Sequence, residues 1–309
     1  MRLSNYIFTA LLCFSTLNSN ASVANGAASF FKHLDKAIYG ELDIADTTGE
    51  LSQDVKNGAH ATALMVNRFS LNEVLDGKLY SAKGQNFFKK AKMCEGENEF
   101  LNDLAYGGCS SVLVGPKTVL TAAHCIQNYQ LACDRKSFVF DARADLGSKN
   151  KVQYFVKSQV YHCSKILAYH QTRDKTFDYA LIELDRNVEG GRRPVKIKKD
   201  LLQNGDEVYM IGHPNGFLSR YSTNGFVRYD DELFYNTNLD AFGGNSGGPV
   251  FDKKTHEMVG LLIRGHDDLI WDTEKQCNRV VYCEEDGCDG ESVLKIGAII
   301  DDIESRRNN

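Results

Sequence analysis

Gly243-Gly244-Asn245-Ser246-Gly247-Gly248-Pro249-Val250 decides how the rest of this 309-residue chain is read. Glycines on both sides of Ser246 let the backbone turn sharply and aim the Gly244 and Ser246 N–H groups at one point, an arrangement that holds a developing oxyanion. A serine hydroxyl is a poor nucleophile at neutral pH, so it needs an imidazole to take its proton and a carboxylate to hold that imidazole. Thr121-Ala122-Ala123-His124-Cys125 supplies the imidazole. The apolar run from Val112 to Leu120 ends there in small residues, which lets the His124 ring project from a strand-to-turn junction. Asp178-Tyr179-Ala180-Leu181-Ile182-Glu183-Leu184 supplies the carboxylate, an acid that opens a β-type run. Asp174 and Asp185 stand nearby, with turn or strand-end roles as their simpler reading; Asp178 immediately precedes the apolar run.

Three blocks in the order His, Asp, Ser resemble those of the chymotrypsin-like (trypsin-like) serine endopeptidases, and the short His-to-Ser spacing resembles the bacterial branch that includes the glutamyl endopeptidases. The resemblance runs from roughly residue 58 to 305 and is strongest in those blocks. It implies an all-β fold of two antiparallel barrels with the active site between them and a short C-terminal helix. It implies catalytic roles for His124, Asp178 and Ser246, an oxyanion hole from the Gly244 and Ser246 N–H groups, and a Cys109–Cys125 disulfide. Specificity is read by the same route. Asp240 stands six residues before the nucleophile, where trypsin-type enzymes place the acid that pairs with Arg or Lys, and Gly265 and Gly297 match the pocket-wall glycines. The alternative for Asp240 is a hydrogen-bonded loop acid. Glutamyl-specific relatives carry a histidine in the strand before the first wall glycine, and Gly260-Leu261-Leu262-Ile263-Arg264-Gly265 has none, although Arg264 could itself attract acidic substrates. Asn245 replaces the aspartate that, in vertebrate-type relatives, binds the new N-terminal amine after zymogen cleavage, so that ion pair is not expected.

Outside these blocks, Arg2 and the apolar stretch Tyr6 to Phe14, followed by Ser19-Asn20-Ala21, read as a signal peptide over residues 1–21, placing the protein in the periplasm or outside the cell. Residues 22–57 lack periodicity and read as a propeptide or loose N-terminal arm. Residues 58–309 form the peptidase domain, with a first barrel over about 58–190 and a second over about 191–309. Strand-like runs such as Val152–Val156 and Val208–Ile211, separated by turn residues, fit a pair of barrels. Ile296–Ile300 reads as a strand and Asp301–Arg307 as a short helix.

Loss of Cys13 with the signal leaves eight of nine cysteines, an even number that favours disulfides in an exported chain. Cys133 with Cys163 is the expected second pair. Zinc at Cys277, Cys283 and Cys288 is the competing reading, but no histidine falls at finger-like spacing. Acidic Glu284 to Glu291 reads as a solvated, disulfide-tethered loop, or less simply as a calcium site. His213, in a Gly-His-Pro-Asn-Gly turn, reads as a loop residue. A net charge of −5 gives no basic excess for nucleic acid, and no later apolar run spans a bilayer. The expected partners are protein or peptide substrates of a monomer that needs no metal or cofactor. A catalytically silent binding protein of the same fold stays open, although a complete set of three catalytic residues argues against it.

Overall fold

The computed structural model describes residues 37–97, 99–126, 131–143, 151–174 and 176–307, so the signal-peptide reading of 1–21 and the first part of 22–57 lie outside the described residues. Helix α1 (Gln53–Ala61) starts at Ser52, whose hydroxyl accepts from the Val55 N–H at 3.3 Å and so satisfies one orphan donor of the first turn. It leads into β1 (Thr62–Asn67), and β2 (Cys109–Gly115), β3 (Thr118–Thr121), β4 (Lys136–Phe140), β5 (Val160–Gln171) and β6 (Asp178–Leu184) complete a closed antiparallel barrel in the order β1-β2-β3-β6-β5-β4. Pro116-Lys117 makes the turn that splits the Val112–Leu120 run into the hairpin β2–β3. Val112, Leu113, Val119, Phe138, Tyr179 and Ile182 are buried in its core.

The second barrel is built from β7 (Glu207–Gly212), β8 (Arg220–Asp230), β9 (Phe234–Thr237), β10 (Pro249–Asp252), β11 (Met258–Arg264) and β12 (Glu291–Lys295). Its strands run β7-β10-β11-β12-β9-β8, and β7 pairs again with β8 to close it. Val208, Leu239, Val250, Leu262 and Val293 fill it. Closure leaves neither barrel with a long unpaired edge. Val152–Val156 is a strand, but it pairs with Leu79–Lys83 in a small separate sheet. Among the described residues no helix is long and apolar enough to cross a membrane.

The stretch read as a propeptide or loose arm is, from Ala37 onward, part of the packed structure. Ile38–Tyr39 runs parallel to Tyr282–Cys283, and Ile44–Asp46 adds to β8 beside Arg220–Ser222. Ile38 is fully buried in a cluster with Phe217, Phe242 and Val280. Arg220, itself buried, pairs with Asp46 and with Asp103. This attachment leaves no periodic trace because irregular backbone is held by single contacts rather than by one repeating face.

Ile296–Ile300 is helical. The C-terminal helix α2 spans Ile296–Arg307, with Ile296 and Ile299 buried and Ile300 and Ile303 packed against the core, which is helical spacing; a short apolar run does not distinguish the two periods. Arg306 and Arg307 lie in its last turn, where cations complement the helix dipole.

The structure joins Cys94 to Cys277, Cys109 to Cys125, Cys133 to Cys163 and Cys283 to Cys288. Cys277, Cys283 and Cys288 are therefore bonded as disulfides, not set out as zinc ligands.

Two expectations follow. Ile38→Ala should lower unfolding stability by about 2–4 kcal/mol in a denaturant titration, whereas a loose arm would leave the midpoint unmoved. The second concerns His213, fully buried with Nδ1 against the Phe217 carbonyl at 3.0 Å, which burial holds at a pKa of about 4. An imidazole with a depressed folded pKa binds fewer protons than in the unfolded chain. Its neutral state is free of charge at pH 7, and stability is lost as pH falls from about 6.5 towards 4, by roughly 3 kcal/mol over that window. Unfolding midpoints at pH 7 and 4 should show this loss, reduced in His213→Gln.

Candidate active site

His124 sits on the one-turn helix Ala123–Cys125 that follows β3. Cys125 is bonded to Cys109 at the start of β2, so the turn is tied covalently to the neighbouring strand. Asp178 is the first residue of β6, which pairs with β3 through Ala180 and Thr121. Its carboxylate takes His124 at two points: Oδ2 lies 2.7 Å from the ring Nδ1, and Oδ1 accepts from the His124 backbone N–H at 2.8 Å. An ionised carboxylate only accepts, so Nδ1 carries the proton and Nε2 keeps its lone pair. Nε2 is buried and has no hydrogen-bond partner among the described residues. Asp174 is spent within its own turn on the Thr176 N–H and hydroxyl, and Asp185 faces Arg186 and the His162 N–H.

Ser246 lies at the seam of the two barrels, 1% exposed, with its carbonyl accepting from Ser110 N–H at 2.9 Å. Gly244 has φ +94°, and a Cβ there would stand 2.6 Å from the His213 carbonyl oxygen, so only glycine fits. Gly247 has φ +80°, and its missing side chain lets the turn approach Thr121 and Ser110. The Gly244 carbonyl accepts from the Ser110 hydroxyl at 2.8 Å, and the Gly243 N–H donates to Asp268 at 2.7 Å. These bonds hold the peptide unit before Gly243 and the one after Gly244. Ser110 and Asp268 carry no sequence signal of this role, because neither belongs to a short motif.

The pocket residues read from spacing fare differently. Asp240 is buried, and its two oxygens accept from the Tyr39 N–H at 2.7 Å and the Asp43 N–H at 2.9 Å. Burial raises its pKa to about 7 despite those two donors. The carboxylate anchors the N-terminal segment, as the loop-acid reading has it. Gly297 is a correction: it lies in α2 with no atom within 4 Å of where a Cβ would be, so it walls no pocket. It was misplaced together with the strand assigned to Ile296–Ile300. Gly265 follows β11, and a Cβ there would collide with the carboxylate of Glu291. Glu291 is fully buried and was missed, because in sequence it merges with the acidic loop before it. Arg264 is partly buried with its guanidinium 4.5 Å above the Phe234 ring; burial lowers its pKa, while Asp178 and Asp231 pull the other way. Asp178 therefore feels a nearby cation.

In the Glu284–Glu291 loop, Glu285 accepts from the Asn238 side chain, the Asp286 and Gly287 carbonyls accept from Arg228, and Asp289 faces His266 at 3.1 Å. Together with the Cys283–Cys288 bond these contacts tether the loop, while Glu284, Glu285, Asp286 and Asp289 stay exposed.

The trypsin-like peptidase domain family matches residues 109–261, a span that contains His124, Asp178 and Ser246. A glutamyl endopeptidase of Bacillus licheniformis is 28% identical over 157 residues, which are 48% of this chain and 46% of that protein. The chain thus spans about half the length of the curated relative it matches. A solved structure of a Glu endopeptidase in complex with MPD covers 88% of this chain and 100% of its own, with a TM-score of 0.50 and 15% identity, and so shares the fold. With the barrel pair and these matches in hand, the chain has the chymotrypsin-like serine protease fold, carries a trypsin-like peptidase domain over residues 109–261 and is similar to the glutamyl endopeptidases.

Proposed function

We propose that the protein is an exported serine endopeptidase that works through His124, Asp178 and Ser246. The observation that carries this reading is the two-point grip of Asp178 on His124, at 2.7 and 2.8 Å, beside a glycine turn that presents Ser246. The ring cannot rotate away without losing its carboxylate, so its tautomer is fixed with Nε2 as the base. The Ser246 hydroxyl gives its proton to Nε2 as its oxygen attacks the peptide carbonyl. The Gly244 and Ser246 N–H groups take the oxyanion, and Asp178 stabilises the imidazolium. That imidazolium returns the proton to the leaving amine, and water then hydrolyses the ester by the reverse steps. In a free enzyme the serine-to-imidazole contact is commonly long and tightens on substrate binding, in keeping with an unpartnered Nε2. Four disulfides support export to an oxidising compartment.

For specificity, the Arg/Lys preference suggested by Asp240 loses its support, since both carboxylate oxygens face the Tyr39 and Asp43 N–H groups. Preference for an acidic side chain before the scissile bond is better supported, by the Arg264 guanidinium at the end of β11, just before Gly265, and by the relative's description as a glutamyl endopeptidase.

A fluorophosphonate should label the protein at Ser246, with labelling abolished in Ser246→Ala, and Asp178→Asn should lower turnover by about 10⁴ without unfolding the chain. Folded protein that never reacts would be a silent binding protein. On a peptide library, Glu and Asp should lead before the scissile bond, and Arg264→Gln should reduce their kcat/KM by roughly 10- to 100-fold relative to neutral side chains. A profile led by Arg and Lys and lost in Asp240→Ser would restore the Asp240 reading.

A further inference from the structure

Tyr179 is fully buried, and its hydroxyl donates to Asp302 Oδ2 at 2.5 Å. His170 presents Nδ1 to the same oxygen at 2.8 Å. Asp302 belongs to α2, the helix that follows β12 of the second barrel, whereas His170 and Tyr179 face each other across β5 and β6 of the first. The His170 ring also stacks on Phe177, with centroids 4.9 Å apart and planes 12° from parallel, and meets Tyr179 edge-on at 6.1 Å. One carboxylate from the helix of the second barrel therefore gathers both sequence neighbours of Asp178: Tyr179 directly, and Phe177 through His170.

Successive side chains of a strand point to opposite faces. The Phe177 and Tyr179 rings lie on one side, 6.3 Å apart, and the Asp178 carboxylate faces His124 on the other. Gln171 and Asp178 are the last pair of the β5–β6 register, so Asp178 stands where a ladder ends, and ladder ends open most easily. We propose that Asp302 is a positioning residue for the His124–Asp178 pair: α2 reaches over from the barrel that carries Ser246 and clamps the open end of β6, fixing the angle at which Asp178 meets His124.

The angle matters because Asp178 engages His124 at two atoms at once, the backbone N–H at 2.8 Å and Nδ1 at 2.7 Å. A rotation of the strand end lengthens one of these bonds. The clamp is itself firmly seated: Ile299 of α2 is buried, and Ile300 and Ile303 pack against the core. Burial first, and the bond to Asp302 second, push the Tyr179 phenol well above its ordinary range, so it keeps its proton and remains a donor. Arg306, one turn further along α2, is the cation that this cluster feels.

Asp178 affects the rate only if Ser246 is the nucleophile, so this role rests on that reading, and one set of measurements separates the two. Fluorophosphonate labelling would be followed against probe concentration and pH in the wild type, Asp302→Ala, Asp302→Asn, Tyr179→Phe and the double variant Asp302→Ala/Tyr179→Phe. Asp302→Ala should label roughly 10-fold more slowly at saturating probe, with the half-saturating concentration within about twofold, because a misplaced base slows the step and not the binding. A less closely held Asp178 stabilises the His124 imidazolium less, so the pH of half-maximal labelling should move down by about half a unit or more. Tyr179→Phe, which removes only the hydroxyl, should show the same changes in smaller measure, and the double variant should be no slower than Asp302→Ala. Asp302→Asn, whose amide oxygen can still accept from Tyr179, should recover most of the rate. A helix that only supports the fold would lower the denaturant midpoint and leave the saturating rate and the pH midpoint unmoved; that result, or additive losses in the double variant, would overturn the clamp and leave the triad standing. If Asp302→Ala does not fold, an unchanged rate and pH midpoint in folded Tyr179→Phe overturns it, and a fall in both upholds it. Absence of labelling in the wild type would remove the triad reading and this role together.

Discussion

Ser110 is one residue of β2, and it spends every polar group it has on the seam between the barrels. Its N–H donates to the Ser246 carbonyl at 2.9 Å, its hydroxyl donates to the Gly244 carbonyl at 2.8 Å and accepts from the His213 N–H at 2.9 Å, and its carbonyl accepts from Thr121 at 2.7 Å. The Ser246 loop, the Gly212–Gly216 turn and the strand leading to His124 are thereby referenced to the same few atoms. A buried hydroxyl with every bond made is rigid, because any displacement leaves a polar group unsatisfied where it is fully shielded from solvent. The relative placement of Ser246 and His124 inherits that rigidity. Gly247 is the complement to this constraint, since a side chain there would force Ser110 and Thr121 away from the turn.

The electrostatics on the second barrel are less settled than the hydrogen bonding. Asp240, Asp43, Glu285 and Glu291 gather where the N-terminal segment meets the barrel, and burial lifts Asp240 to about 7. The chain meets this concentration of acid mostly with backbone N–H groups, from Ala37, Tyr39, Asp43 and Asn224. Neutral donors satisfy geometry without cancelling charge, so the cluster is a place where an added cation has a large effect.

What could be read from sequence divides along the range of the interactions. The His124–Asp178 contact and the tight glycine turn at Ser246 were legible because each block is a short run of adjacent residues, and the barrel strands because alternation is a local pattern. Gly297 was misplaced because Ile296–Ile300 is apolar at every second and every third position within too short a window. Asp240 stood at the right spacing, yet its role depends on the backbone of Tyr39 and Asp43, some two hundred residues away in the chain. Glu291 and Ser110 were invisible for the same reason: neither has a neighbour in sequence that shares its function, and only the closed barrels bring their partners to them.

The Cys94–Cys277 bond joins residues 183 positions apart and encloses His124, Asp178 and Ser246 in one covalent ring. A cut in any loop within that ring opens the chain but does not divide it. An endopeptidase that meets copies of itself is exposed to such cuts, and here a nicked molecule remains a single particle with both barrels attached. Damage by self-digestion is thus converted from loss of one barrel into a local break, one that separates the fragments only after the sulfurs are reduced.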